Sequence, residues 1–370
     1  MQKICFILNI APLYRREIFL RLDDAYDCKF AAGEKTVNAS DIKLMDESEF
    51  KNFKRIKNVV FLSAPFYWQK GVLGELFNGC GKYVFVGEPF CVSTWLFAIM
   101  LKFMPRKKLY FWTHGWYGRE GFFKKILKKI FFGLSDGIFV YGDYARSLMV
   151  KEGFDEKKLF PIHNSLAYSK QMEIRRELAP SGVFSAHFKN SNKNIIFIGR
   201  LGANKKLDMI IRALAQLKKS GIFMNATLVG DGGERENLQR LAGELGVSEN
   251  VWFYGACYDE RENANLIYNA DLCVSPGNVG LTAIHCLAFG CPVITHDNFP
   301  MQMPEFEAVE DGKTGAFFKH GSLESLVETV RKWSENSLGR EEIRRNCFEV
   351  IDTKWNPNYQ MEIFSAVFGK

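Results

Sequence analysis

Several things are missing from this chain of 370 residues, and each absence removes a class of protein. Its nine cysteines (5, 28, 80, 91, 257, 273, 286, 291 and 347) contain no C-x-x-C pair, so the usual zinc and redox spacings are absent. Most sit in apolar runs, such as Cys5 in ICFIL and Cys273 in DLCVS. They read as small buried hydrophobes of a reducing compartment, not metal ligands or disulfide partners. No apolar stretch approaches the roughly 20 residues that span a bilayer. The longest, Phe90 to Met100, contains Ser93 and Thr94 and is followed by Lys102. One Lys precedes the first apolar run and no small-residue cleavage site follows, so a first strand is expected there in place of a signal peptide, and the protein is expected to be cytoplasmic. The formal charge of +7 lacks the dense clustering of a nucleic-acid binder, while its basic excess favours anionic ligands or an anionic membrane surface. The first strand-end loop has no G-x-G-x-x-G, which argues against an NAD-dependent oxidoreductase. Short internal repeats and low-complexity segments are also absent.

What is present is an ordinary globular composition, 47% hydrophobic and 25% charged, at a length that suits two α/β domains. Apolar runs at Ile4 to Leu8, Val59 to Leu62, Tyr83 to Val86, Leu109 to Trp112, Ile138 to Tyr141 and Leu159 to Ile162 each end in a loop-like cluster and alternate with helical segments. Continuous apolar strands of this kind belong to parallel sheets covered on both faces. The chain is therefore expected to fold as α/β, with a first Rossmann-like domain at 1–167. A charged and then polar passage at 168–193 is expected to be a linker. A second series then runs through NIIFIGRL, ATLVGDG and VWFYGA, giving a second doubly wound domain at 194–354. The closing stretch 355–370 carries Met361, Ile363, Phe364, Val367 and Phe368 with few charges, a face expected to pack back on the first domain.

The stretch Asp271 to Thr295 writes out one strand, loop, helix and strand. Its loop, Gly277 to Gly280, opens a helix at the carboxyl end of a parallel strand, where free N–H groups and the helix dipole suit a phosphate or diphosphate. Two further strand-end elements join it. Gly199 and Arg200 precede Lys205 and Lys206, a guanidinium fork and an ammonium that suit a diphosphate, or else a solvated basic turn. Gly230, Asp231, Gly232 and Gly233 form a phosphate-type turn, or only a tight connection.

The order GR(x4)K, VGDG, FYG, SP(x3)GLTAI(x5)GCPVI, Pro304-Glu305 and EDGKTG resembles the retaining glycosyltransferases of family four, over most of residues 194 to 333. The resemblance implies the GT-B fold, two Rossmann-like doubly wound domains facing a cleft, with the second binding a nucleotide diphosphate sugar. It assigns Arg200 and Lys205 to the diphosphate, and Gly199, Gly230, Gly232 and the amides of Gly280, Leu281 and Thr282 to the donor. In that family two glutamates with seven residues between them flank the loop, one near the sugar and one on the ribose. Here those positions are Gly277 and His285. His285 either hydrogen-bonds a ribose hydroxyl as a neutral imidazole or is a histidine packed between helices. Asn278 replaces the lost sugar contact, and Glu305 and Glu307 either reach the sugar or belong to a solvated turn.

In the first domain, the resemblance places His114 of WTHGWYGRE near the donor sugar, and Asn9, Tyr14 and Arg15 near an acceptor, with Arg15 or Arg16 on an acceptor phosphate. Glu88 is either an acceptor-side carboxylate or a helix N-terminal acid. Residues 119–134, REGFFKKILKKIFFGL, pair an apolar stripe with Lys124, Lys125, Lys128 and Lys129. This reads as attachment to an anionic leaflet bearing a lipid-linked saccharide acceptor, or as a surface helix with a buried stripe. The implied activity is retaining transfer of a hexosyl group from a nucleotide diphosphate sugar, a UDP-sugar before a GDP-sugar, in surface polysaccharide assembly, with no metal and no cofactor. A nucleotide-sugar 2-epimerase of the same fold and a donor binder without turnover are the alternatives.

Overall fold

The computed structural model describes residues 2–34, 43–61, 65–335 and 338–369. The chain divides into two compact units, Met1–Ala167 with Asn356–Lys370, and Tyr168–Trp355.

The first unit contains β1 (Lys3–Leu8), α1 (Arg16–Ala25), β2 (Asp27–Gly33), β3 (Phe53–Val60), β4 (Tyr67–Lys70), β5 (Lys82–Val86), α2 (Val92–Lys102), β6 (Lys108–Thr113), α3 (Phe122–Gly133), β7 (Gly137–Val140), α4 (Asp143–Lys151) and β8 (Leu159–Pro161). Its eight strands lie in the order β4, β3, β2, β1, β5, β6, β7, β8. All pairs are parallel except β3 with β4. Strand residues alternate between two covered faces. Cys5, Ile7 and Phe111 join Phe97, Phe131 and Phe132 on one side, while Ile4, Phe6 and Trp112 join Phe19 on the other. The order reverses between β1 and β5, and the crevice at their carboxyl ends is where such sheets take ligands.

The strand expected at Val59 to Leu62 is instead β3, which starts earlier. Only Ile56 of β3 is buried, so the strand lacks the continuous apolar run that marks its neighbours. Leu62, Ser63 and Ala64 of that expectation lie outside the described residues.

The second unit contains α5 (Tyr168–Glu177), α6 (Val183–Phe188), β9 (Lys193–Ile198), α7 (Asp208–Lys219), β10 (Met224–Val229), α8 (Arg235–Glu244), β11 (Val251–Gly255), α9 (Glu260–Asn269), β12 (Leu272–Ser275), α10 (Leu281–Ala288), β13 (Val293–His296), β14 (Gly315–Phe318), α11 (Leu323–Ser334) and α12 (Arg340–Thr353). Its sheet order is β11, β10, β9, β12, β13, β14, all parallel, with the reversal between β9 and β12. The passage 168–193 is not a linker: it holds α5 and α6, both packed against α9. Ile174 is buried in the polar α5, and Phe184 in the six-residue α6. Ser181 N–H also donates to Asn269 Oδ1 at 2.7 Å. Helix α9, absent from the sequence reading, starts where the Asp259 carboxylate accepts from Arg261 N–H at 2.7 Å.

The last helix, α13 (Pro357–Phe368), belongs to the first unit. Asn356 caps it through Tyr359 N–H at 3.0 Å, and Pro357 occupies its first turn. Phe364 sits 4.7 Å from Phe139 and 5.3 Å from Trp112, ring centre to ring centre. The buried Gln360 amide accepts from Ser165 Oγ at 2.7 Å and donates to His163 O at 3.0 Å. Phe364→Ala is expected to cost the first unit about 3–5 kcal/mol, as burial lost plus a cavity. A lowered urea midpoint, followed by tryptophan fluorescence, is the measurement.

Candidate functional site

At the reversal in the second unit, three strand-end loops are laced together by backbone bonds. Gly199, after β9, donates to Val229 O at 2.9 Å, and Leu201 N–H donates to Asp231 O at 3.0 Å. Gly230 and Gly232 follow β10, and Gly230 N–H reaches Gly255 O at 2.7 Å. Across the reversal, Gly277 N–H donates to Lys205 O at 2.9 Å. A Cβ on Gly277 would lie 2.1 Å from Asn204 O, so no side chain fits. That close approach explains why no acid stands at this position.

The same contact aims Lys205. Its ammonium donates to Asn278 O at 2.7 Å and Asn278 Oδ1 at 3.0 Å. Burial pulls this lysine below its usual range, and the charge of buried Glu305 opposes the shift. Arg200 is exposed at the end of β9. Gly280 opens α10 with φ 54° and ψ −149°, a conformation open to glycine, and Leu281 and Thr282 supply first-turn N–H groups. Thr282 Oγ1 donates to Ile198 O at 3.0 Å, tying α10 to β9.

His285 has a definite partner. Its Nε2 lies 3.1 Å from Glu260 Oε1 on α9. Gln171 Nε2 of α5 donates to the same oxygen at 3.0 Å. Burial alone would raise the Glu260 pKa, yet the His285 and Gln171 hydrogen bonds and nearby Lys170 hold it below the usual value, so it is a carboxylate.

The first unit has its own cavity of about 640 Å³ at the carboxyl ends of β1, β5, β6 and β7. Asn9, Tyr14, Arg15, Glu88 and His114 all line it, so the residues singled out from three separate loops share one space. Glu88 Oε2 accepts from Tyr67 Oη at 2.8 Å and from Asn9 Nδ2 at 3.5 Å. The Arg15 guanidinium lies 5.2 Å from the Trp112 and Tyr141 ring centres and 5.6 Å from that of Tyr14, and it donates to Tyr141 Oη. Arg16 points elsewhere and pairs with Glu49 on the surface.

His114 packs 4.8 Å from Tyr141, and its Nδ1 is buried with no hydrogen bond. Burial first, then the charges of Arg15 and Lys128, push its pKa down to about 3. At neutral pH it is an uncharged imidazole beside two cations.

Helix α3 departs from the reading of a surface helix with a buried stripe, and Lys128 departs from the basic face. Lys128 is not on a solvated face: it is buried, donating to Glu120 Oε1 at 2.7 Å and Gly115 O at 2.6 Å. Lys125 and Lys129 both pair with Glu152. The apolar stripe is not buried either, for Phe122 is 72%, Phe123 85% and Ile130 58% exposed. Only Phe131 and Phe132 carry the packing into the core.

With the geometry in place, the known proteins this chain resembles can be named. Residues 183–350 match the family of glycosyl transferases group 1. That matched stretch lies within the second unit. Over 165 residues the chain is 24% identical to an alpha-D-kanosaminyltransferase of Streptomyces kanamyceticus, covering 44% of this chain and 42% of that protein. The chain spans about two-fifths of the length of the curated relatives it matches. In structure, the lipopolysaccharide outer core galactosyltransferase WaaB superposes with a TM-score of 0.72 over 99% of both chains at 13% identity. The Anabaena protein HepE in complex with UDP gives 0.70 over 100% of both at 17%. Similarity at this level establishes the GT-B fold.

Within the matched stretch, two residues were missed. Glu260 was hidden because its helix was not recognised. Gln302 is fully buried; its Oε1 accepts from Val279 N–H at 2.9 Å, and its Nε2 donates to Thr295 Oγ1 at 2.8 Å and His296 O at 3.0 Å. It pins the loop before α10, and no motif marks it. Among the described residues, no group of three or more His, Cys, Asp or Glu is arranged to hold a metal ion.

The depressed His114 pKa has a consequence for stability. The unfolded chain takes up this proton near the ordinary value of 6.5, the folded chain only near 3. The contribution is therefore complete above about pH 6.5 and lost as pH falls toward 3, by up to about 1.4 kcal/mol per pH unit. Urea midpoints between pH 7 and 4.5 should fall more steeply for the wild type than for His114→Gln.

Proposed function

We propose that the protein is a retaining glycosyltransferase that moves a hexosyl group from a nucleotide diphosphate sugar, a UDP-sugar before a GDP-sugar, to a lipid-linked saccharide acceptor in surface polysaccharide assembly. The observation that carries this reading is the laced site of the second unit, where Lys205, Asn278 and the start of α10 meet at the sheet reversal. A diphosphate laid on the α10 amides meets the Lys205 ammonium, with Arg200 at the next strand end. These cations stabilise the charge that grows on the leaving diphosphate, which a transfer without a metal or cofactor requires. Gly199, Gly230 and Gly232 let the backbone approach the donor, and Glu305 and Asn278 orient its sugar. HepE, a neighbour in structure, is described with UDP, which supports a uridine donor.

The first unit takes the acceptor. Arg15 and Lys124 of its cavity suit an acceptor phosphate, while Asn9, Tyr14 and Glu88 suit saccharide hydroxyls. Neutral His114 hydrogen-bonds sugar without adding charge. Helix α3 supports the lipid part: Lys124 and Leu127 line the cavity, while Phe122, Phe123 and Ile130 face solvent. These three form an apolar surface edged with lysine that suits insertion into an anionic leaflet at the cytoplasmic face of the membrane. No helix among the described residues is long and apolar enough to cross a membrane. WaaB, a lipopolysaccharide galactosyltransferase, supports the surface-polysaccharide role.

Transfer or slow hydrolysis of a UDP-sugar should fall on the order of 100-fold or more in Lys205→Ala and in Arg200→Ala. Unchanged rates, or C2 inversion of the sugar with no acceptor present, overturn the reading. In sedimentation with vesicles containing anionic lipid, Phe122→Ser/Phe123→Ser should bind at least about tenfold more weakly than the wild type. Added salt should weaken wild-type binding without abolishing it. A wild type that stays in the supernatant at low salt ends the membrane role.

A further inference from the structure

The two donors aimed at Glu260 meet the same oxygen: Gln171 Nε2 and His285 Nε2 both bond Oε1, at 3.0 and 3.1 Å. Oε2 makes no hydrogen bond among the described residues, and the side chain is 22% exposed. Glu260 therefore presents one fixed, ionised oxygen to solvent at the carboxyl edge of the sheet, where α9 begins. A carboxylate held this way by one oxygen cannot swing, which makes the other a directional acceptor.

Its position relative to α10 defines what it faces. His285 lies one helical turn beyond Thr282, on the same side of α10, a displacement of about 5 Å along the axis. Roughly the same distance separates the phosphate of a nucleotide from the free hydroxyls of its pentose. A vicinal diol offers two O–H donors and no charge, the complement of a carboxylate oxygen whose partner oxygen is already bonded.

Resting on the donor reading above, we infer that Glu260 is the ribose-binding residue of this domain, its Oε2 accepting from the 2′- and 3′-hydroxyls of the nucleotide. His285 and Gln171 are positioning residues that hold Oε1. The acid is thus supplied from α9, across the gap between helices, while α10 contributes the imidazole that orients it.

Calorimetric titration with UDP, GDP and ADP, each beside its 2′-deoxy counterpart, tests this without any variant. The wild type should bind the preferred ribonucleotide on the order of tenfold or more tightly than the deoxy form. Glu260→Gln, close in shape, should bind both at the weak affinity. Gln171→Leu should weaken ribonucleotide binding and leave the deoxy form nearly unaffected. Equal binding of ribo and deoxy forms by the wild type, or discrimination that survives in Glu260→Gln, overturns the role of Glu260 and leaves the donor reading standing. If none of the diphosphates binds, the donor reading falls and the ribose assignment with it.

Discussion

The passage of Gly277 against Asn204 and Lys205 is the contact on which the rest of the second unit's site depends. Two loops from opposite sides of the sheet reversal approach within one backbone hydrogen bond, at 2.9 Å, and no side chain can stand between them. That proximity delivers Lys205 to Asn278 and sets where α10 starts. It also leaves no room for an acid at position 277. On α9, the Glu260 carboxylate is held by Gln171 and His285.

The first unit solves a different electrostatic problem. Arg15, Lys124 and Lys128 line one cavity, and Lys128 and Arg15 are accommodated by different chemistry. Lys128 is matched by the Glu120 carboxylate, which also accepts from the N–H groups of Tyr117 and Gly118 at 2.9 Å. Arg15 is bracketed by aromatic faces and the Tyr141 hydroxyl. Aromatic faces lower the cost of burying a guanidinium without cancelling its charge. The cavity therefore keeps a positive field from Arg15, and that field helps to hold His114 neutral.

The parallel-sheet architecture was legible because buried parallel strands are written as continuous apolar runs. The same rule hid β3, whose exposed lysines and arginine surround a single buried Ile56. Helix α5 was read as linker because a lone apolar anchor in a polar segment carries no periodic signal, and α6 because six residues are too few to show one. The loops at the strand ends were legible through their glycines and basic residues, and Asn9, Tyr14, Arg15, Glu88 and His114 did fall around one cavity, Arg16 apart. What sequence could not supply was pairing across distance. Glu260 stands 25 positions from His285, and the lysines of α3 look alike until packing buries Lys128 and leaves its neighbours at the surface.

Helix α13 has a consequence for how the chain comes together. Phe364 and Phe368 close a layer that includes Phe6, Tyr26, Trp112 and Phe139, residues drawn from across the first 140 positions. Those rings therefore wait for a helix made after the whole second unit. During synthesis the first unit stays incomplete, with an aromatic face uncovered, while the second unit has every strand it needs. The order of emergence and the order of completion are thus reversed: the part of the protein made first is the part finished last.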